Sequence, residues 1–343
     1  MTVDRLNELL EAAVKLELST IPPYLCALYT IHPEGNDEAK LVIRSVVVEE
    51  MLHMVLAANV LNAIGGEPRV AGPEHTPRYP HELPDGVVID LLPFSPAAVD
   101  AFLKVEDPEH PHQALDPDHP LLAQRRHEPH VAHATETLER PGTIGAFYAE
   151  IQEGLKETAE EIGEERLFSG DPARQVGREY YYAGGGRALE VNDLASAVAA
   201  LGEIVEQGEG DMASIYDGDG DLAHYFRFQQ LSHNRAYQES DDPQAPTGAP
   251  MGVDYDAVYP MIANPRNQDY VDPELRAASD AANRTWSRLL LQIEDSFSGN
   301  PPALIPAVHT MFKLRDQALV LLANPLPDHP GRNAGPTFEW SAP

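Results

Sequence analysis

The sequence is poor in cysteine, in basic residues and in long apolar runs. Cys26 is the only cysteine among the 343 residues, which excludes an intrachain disulfide and a cysteine-based zinc site. A single cysteine fits a reducing cytoplasm, where we expect the protein to act. Lys and Arg number 24 against 55 Asp and Glu, a formal net charge of -31. Because such a surface repels phosphate backbones and anionic lipid headgroups, we expect no nucleic-acid and no membrane partner.

The chain also lacks the pattern of a membrane span or an export signal. The N-terminus, MTVDRLNELLEAAVKLE, is acidic and amphipathic and has no basic stretch before an apolar run. No segment reaches the ~18 uninterrupted apolar residues that suggest a membrane helix. What the sequence does have is 43% hydrophobic residues, which is normal for a globular protein with a sizeable core.

Hydrophobic spacing predicts an all-α protein. Apolar residues recur at three- and four-residue intervals over 3–30 and 38–64, and Gly65-Gly66 follows the second segment as a helix C-cap. Pro22 and Pro23 predict a kink in the first helix. Residues 66–142 are rich in proline and histidine and predict a long crossover, with a strand at 87–92 and a short helix at 96–103. Further helices are predicted near 144–162, 192–207, 222–235, 275–297 and 302–323. We expect a bundle over residues 1–236, with residues 237–343 forming a linker and C-terminal helices packed on the same domain.

The first two predicted helices carry three candidate metal ligands on their apolar faces. Glu17 lies in the stripe of Leu10, Ala13 and Ile21, where a buried carboxylate needs a partner. A buried arginine or a hydrogen bond near the proline pair is the structural alternative. On the second helix, Glu50 and His53 share the inner stripe in EEMLH, and this Glu-x-x-His spacing brings a carboxylate oxygen and an imidazole nitrogen to one point.

Two later helices supply further candidates. Glu206 lies in line with Ala195, Ala199 and Gly202, a small-residue face that leaves space for a metal, and Glu209 is its rival. His224 lines up with Phe228 and Leu231, where a satisfied core histidine is the alternative interpretation.

Several other polar residues are not assigned as ligands. Glu49 is off the inner stripe, so we expect it outside the ligand set or in solvent. The third predicted helix carries Glu150, Glu153 and Glu157 away from its apolar stripe, which indicates a solvated face, and the sequence leaves open whether one of them is a ligand. The run 217–221 resembles the start of a calcium loop but lacks the glycine and glutamate that such a loop requires. The histidines of the crossover share no helical face, which favours a solvated loop: His110, His112, His119, His127, His130 and His133.

Seven segments together carry a family resemblance. They are LELSTIPPYLCALY around Glu17, EEMLHMVLAANVLNAIGG around Glu50 and His53, RYPHELP at 78–84, TIGAFY at 143–148, IVEQGEG at 204–210, LAHYFRF at 222–228 and NAGPTFEW at 333–340. They resemble the ferritin-like domain of iminophenyl-pyruvate dimer synthases, enzymes of bisindole pigment and antibiotic biosynthesis. Ala146 stands where the TIG-x-FY pattern of that family carries an acidic residue.

The resemblance implies a ferritin-like four-helix bundle with a metal centre, working in secondary metabolism on oxidised amino-acid imines. Members known for that coupling are much longer than this chain. From ligand chemistry we expect iron, in one or two ions, with manganese as the alternative. The predicted function is a non-haem iron oxidoreductase that uses dioxygen or peroxide on a small amino-acid-derived substrate. The alternative is a non-catalytic metal-binding or pathway scaffold protein, and the sequence leaves assembly into a homo-oligomer open.

Overall fold

Helices make up nearly all of the regular secondary structure in the described part of the chain. The computed structural model describes residues 1–83, 86–108, 143–182, 184–208, 215–216 and 220–342. We number the helices in chain order: α1 (Val3–Thr30), α2 (Asp37–Ala63), α3 (Pro96–Val105), α4 (Ile144–Ile162), α5 (Glu164–Leu167), α6 (Leu194–Gly208), α7 (His224–His233), α8 (Pro273–Phe297) and α9 (Leu304–Leu322). Two short strands, β1 (His81–Glu82) and β2 (Val88–Ile89), pair antiparallel with His81 opposite Ile89. The all-α prediction is confirmed.

Local sequence signals explain where several helices begin. Thr2 precedes α1, and its hydroxyl oxygen accepts a hydrogen bond from the backbone N–H of Arg5 at 3.2 Å. Ser95 and Thr143 play the same part before α3 and α4. These side chains satisfy N–H groups that have no partner within the helix. The strand predicted at 87–92 is shorter than expected, since only Val88–Ile89 pairs with a neighbouring strand.

Helix α1 continues through its two prolines. Pro23 has no N–H to donate to the carbonyl of Ser19, four residues earlier. The hydroxyl of Tyr79 donates to that carbonyl instead, at 2.7 Å. A residue of the crossover thus replaces the missing helical hydrogen bond, and α1 is a single helix from Val3 to Thr30.

Four helices form the bundle around the candidate site. Helices α1 and α2 form a long hairpin, α2 and α4 both pack on α6, and α4 packs on α1. The main apolar core also includes residues of α8 and α9, among them Trp286, Leu290 and Leu314. Helices α8 and α9 form a second hairpin, and α9 packs on α1. The core therefore holds the C-terminal hairpin against the bundle.

A cluster of three aromatic rings joins α1 to α3 and α7. The ring centroid of Tyr24 lies 4.6 Å from that of Phe102 and 5.3 Å from that of Phe228, and the two phenylalanine centroids are 5.1 Å apart. All three rings are fully buried. Because aromatic pairs at these separations are favourable, the cluster fixes the end of α3 and the start of α7 beside α1.

Three features of the sequence have no structural test. The six crossover histidines and Glu209 lie outside the described residues, as does most of the calcium-like run at 217–221. Among the helices that are described, none is both long enough and apolar enough for a membrane crossing.

Candidate metal centre

The side chains of Glu17, Glu50 and His53 meet in the middle of the α1–α2 hairpin. One donor atom from each lies within 4.8 Å of the donor atoms of the other two, and all three residues are buried. Nδ1 of His53 is 3.6 Å from a carboxylate oxygen of Glu17 and 3.7 Å from one of Glu50. We call this group the Glu17 position.

A second group shares Glu50 with the first. Donor atoms of Glu50, Glu106 and His224 also lie within 4.8 Å of one another and are buried. Nδ1 of His224 is 3.0 Å from Oε1 of Glu50 and 3.6 Å from Oε2 of Glu106. We call this group the Glu106 position. One carboxylate thus belongs to both groups, which is the arrangement of a bridging ligand.

Both histidines present the same ring atom to the carboxylates. Their Nε2 atoms face away from the cluster, that of His53 to Gln207 Oε1 at 3.0 Å and that of His224 to Glu49 Oε2 at 2.9 Å. If Nε2 carries the proton in each hydrogen bond, the Nδ1 lone pairs point at the carboxylates. Nδ1 of His224 makes no hydrogen bond within the described part of the chain, although Glu50 is close by.

Hydroxyl groups hold the three carboxylates from outside. Tyr148 of α4 donates to Glu17, Thr20 donates to Glu50, and Tyr24 donates to Oε1 of Glu106 at 2.5 Å. Each carboxylate is therefore fixed on one side while its other oxygen stays directed into the cluster. Such outer hydrogen bonds orient ligands in metal sites.

Crowding of the carboxylates changes their acid–base behaviour. Burial and the adjacent carboxylate of Glu106 raise the pKa of Glu50 to about 7, although His224 acts in the opposite direction. Burial alone lowers the pKa of His224, but the carboxylates of Glu106, Glu49 and Glu50 outweigh it and raise that pKa well above its usual range. Without a cation, the cluster therefore retains protons near neutral pH.

The ion pair behind His224 behaves differently. Burial of Glu49 opposes its ionisation, yet hydrogen bonds and charge from His224 and Arg227 outweigh it and lower the pKa of Glu49. Nη1 of Arg227 lies 2.8 Å from Glu49 Oε1. Glu49 is thus an ionised, buried carboxylate next to the cluster.

A cavity reaches the cluster from one side. Its polar lining is Glu17, Thr20, Glu50, His53 and Glu106, and its apolar lining includes Leu16, Val105, Ile144, Ile204 and Val205. These apolar residues come from α1, the end of α3, the start of α4 and the last turns of α6. The carboxylates of the cluster therefore line the same cavity as these apolar side chains.

The structure corrects the prediction for Glu206. Its side chain is exposed, and the residue of α6 that faces the cluster is Gln207. A methyl group added at Gly202, four residues before Glu206, would meet open space, so this face of α6 is not packed. Because α6 is rich in alanine and apolar on nearly every side, the sequence offers no polar stripe from which to fix its rotation.

One residue of the cluster was missed by sequence reasoning, and the placement of a second was left open. Glu106 follows the last residue of α3 in the crossover, and no helical spacing links it to the bundle helices. Glu49 is buried, so the alternative that it lies in solvent is wrong, and it contacts His224 from behind. The prediction that Glu49 lies off the inner stripe agrees with the structure, because Glu49 contacts residues of α7 whereas His53 contacts Glu17 of α1.

Helix α4, which the sequence predicted as the third helix, contributes no carboxylate to the cluster. Glu153 and Glu157 are exposed and Glu150 is half-buried, in line with the predicted solvated face. What α4 contributes is the hydroxyl of Tyr148. The cluster is therefore asymmetric, with ligand candidates from α1, α2, α7 and the end of α3.

The residues present fit a metal centre. Carboxylate oxygens and imidazole nitrogens are ligands of iron, manganese and zinc. Three crowded carboxylates and a buried imidazole nitrogen without a hydrogen bond are costly unless a cation or protons neutralise them. The cluster is therefore compatible with metal binding.

Comparisons with known proteins agree with this architecture. Residues 10–233 match the model of a family described as Ferritin-like. The chain is 27% identical over 323 residues to dichlorochromopyrrolate synthase of Lentzea aerocolonigenes, an alignment that covers 85% of this chain and 29% of that protein. The chain thus spans less than a third of the length of this relative. A crystal structure of a ferritin like protein from Caulobacter vibrioides, at 1.95 Å resolution, superposes with a TM-score of 0.58 at 21% identity and covers 99% of both chains.

Proposed function

This chain belongs to the ferritin-like family, and we propose that it is a non-haem iron oxidoreductase with two metal positions bridged by Glu50. The observation that carries the proposal is the pair of buried donor groups that share this one carboxylate. Once the protons of the metal-free cluster are displaced, three carboxylates and two neutral imidazoles leave a net negative charge, which divalent cations offset. The metal we favour is iron, with manganese as the alternative.

Iron bound by these ligands would allow dioxygen or peroxide to oxidise a substrate. The protein residues prepare the site for that chemistry. Thr20, Tyr24 and Tyr148 each donate a hydrogen bond that fixes one carboxylate. The apolar side chains of Val105 and Ile144 at the cavity limit the entry of water.

The substrate we propose is a small molecule derived from an amino acid. Support comes from the similarity to a synthase of dichlorochromopyrrolate, and from the sequence resemblance to enzymes that act on amino-acid imines. Because this chain spans only 29% of that relative, its activity is a proposal and not a consequence of the alignment.

Metal analysis of the purified chain tests the first part of the proposal. We expect about two metal ions per chain after anaerobic loading with Fe²⁺. Glu50→Gln should lose most of both ions because the shared ligand is gone. Glu206→Gln is the matched control and should keep them, since Glu206 is exposed. Full metal content in the Glu50 variant would remove the bridging assignment.

Oxygen consumption tests the second part. The Fe²⁺-loaded chain should consume dioxygen or peroxide faster than an equal amount of free Fe²⁺, and the Glu50→Gln variant should not. Metal binding without any such consumption, also in the presence of amino-acid imines, would favour the non-catalytic metal-binding alternative.

A further inference from the structure

The two histidines of the cluster are held from behind by partners of different charge. His224 Nε2 is 2.9 Å from a carboxylate oxygen of Glu49, whereas His53 Nε2 is 3.0 Å from the amide oxygen of Gln207. The contacts are otherwise alike, since both involve Nε2 and both leave Nδ1 facing Glu50. The difference between the two positions is therefore the charge of the group in direct contact with Nε2, a carboxylate at His224 and a neutral amide at His53.

Glu49 is fixed by a second contact on its other oxygen. Nη1 of Arg227 lies 2.8 Å from Glu49 Oε1 and 3.0 Å from Oγ of Ser45, and Nε of Arg227 donates to the carbonyl of Leu222. Glu49 and Arg227 are both buried. The carboxylate thus has little freedom to turn away from His224.

The amide behind His53 is held as firmly but is neutral. Nε2 of Gln207 donates to the carbonyl of Gly185 at 3.0 Å and to Glu203 at 3.2 Å. These bonds fix which atom of the amide faces the ring, so Oε1 is the atom that accepts from His53. Rigidity is therefore similar on the two sides, and charge is what differs.

We propose that Glu49 is a positioning residue that makes the Glu106 position bind a divalent metal ion more tightly than the Glu17 position. A carboxylate that accepts from the far N–H of an imidazole fixes its tautomer and raises the basicity of the ligating nitrogen. A neutral amide oxygen fixes the tautomer with a smaller effect on basicity. The inference rests on the proposed function, because it needs both metal positions to exist.

A purely structural role for Glu49 makes a different forecast. If Glu49 only neutralises Arg227, its removal leaves a buried cation unpaired and lowers stability. Removal of that cation as well, in Glu49→Gln/Arg227→Gln, would then restore both metal positions. The ratio of the two affinities, and not the stability of the fold, is the quantity that separates the two roles.

Titration of the metal-stripped chain with Co²⁺, followed by its visible absorption, measures that ratio. We expect two steps of unequal affinity in the unchanged chain. His224→Gln should remove the tighter step and His53→Gln the weaker one. Glu49→Gln should lower the affinity of the tighter step by about 10- to 100-fold and change its absorption, with little effect on the other step. Gln207→Met is the matched control and should affect only the weaker step.

The outcomes distinguish failure of the inference from failure of the proposed function. No Co²⁺ binding by the unchanged chain would sink both. Two steps of equal affinity, or a tighter step that survives His224→Gln, would overturn the inference alone. Equal weakening of both steps by Glu49→Gln would do the same. If Glu49→Gln does not fold, the double variant Glu49→Gln/Arg227→Gln removes both buried charges and should show the same selective loss.

Discussion

The imidazole rings of His53 and His224 stack almost in parallel, with their centroids 5.4 Å apart and 26° between their planes. One residue comes from the α1–α2 hairpin, and the other is the first residue of α7. Their Nδ1 atoms face the same carboxylate oxygen, Oε1 of Glu50. This relationship places the two proposed metal positions side by side and leads to predictions for each.

Removing a carboxylate that belongs to one group should remove one metal ion. Glu17→Gln should lose the ion of the Glu17 position, and Glu106→Gln the ion of the Glu106 position, because each variant replaces one charged donor by a weak amide. Metal analysis should give about one ion per chain in each case. Two ions per chain in Glu106→Gln would show that this crossover residue is not a ligand.

The two tyrosines that hold these carboxylates should each affect one position. Tyr148 donates to Glu17 and Tyr24 donates to Glu106. Replacement of either by Phe keeps the ring and removes only the hydroxyl. We expect Tyr148→Phe to weaken the Glu17 position and Tyr24→Phe the Glu106 position, by about tenfold each. Tyr182→Phe, at an exposed tyrosine, is the control and should change neither. If both variants bind Co²⁺ as tightly as this control, the two tyrosine hydroxyls do not support the metal ligands Glu17 and Glu106.

Metal affinity should fall as the pH falls below about 7. The pKa of Glu50 is raised to about 7 by burial and by Glu106, so protons and metal ions compete for the same oxygens. Below that pH the carboxyl group is protonated, and metal must displace the proton. Calorimetry in buffers of different ionisation enthalpy should detect proton release on binding at pH ~7. Binding that is independent of pH between about 5 and 8 would contradict this account.

The stability of the metal-free chain should have the opposite dependence on pH. The folded-state pKa of Glu50 lies above its unfolded value of 4.5, so the folded state binds the extra proton between these limits. Stability from this group is therefore present at low pH and is lost as pH rises towards about 7. Thermal unfolding of the metal-stripped chain should show a midpoint that falls over this range, with Glu50→Gln as the variant in which the fall is reduced.

Two glycines provide a test of packing around the bundle. A methyl group at Gly170 would lie 1.9 Å from the carbonyl oxygen of Asn62, so Gly170→Ala should destabilise the fold by about 3 kcal/mol or more. A methyl group at Gly202, inside α6, would meet open space, so Gly202→Ala should stabilise the fold by about 0.5–1 kcal/mol. Denaturant unfolding of both variants checks the pair. If Gly202→Ala instead lowers stability strongly, this face of α6 is packed. Glu206, on the same face, would then be a candidate for the buried cluster again.

Local spacing determined the part of the site that lies within the first two helices. The stripe of Leu10, Ala13 and Ile21 places Glu17 inside, and Glu50 and His53 share one face because they are three residues apart. Which residues share a helix face depends only on helix geometry, and the spacing of apolar residues in the sequence specifies that geometry. The same period gave the bounds of α1 and α2 to within a residue of the structure.

The sequence also predicted His224, from its line with Phe228 and Leu231, and the structure brings it to the cluster. Tertiary structure alone decided the remaining contacts of the site. Glu106 reaches the cluster because the rings of Tyr24, Phe102 and Phe228 draw the end of α3 against α1, and no spacing along the chain encodes that contact. The rotation of α6 is set by packing, which turns Gln207 inward and Glu206 outward. Glu49 faces α7 because Arg227 and His224 lie there. Sequence period fixes which residues share a helix face, but which partner that face meets depends on contacts between segments far apart in the chain.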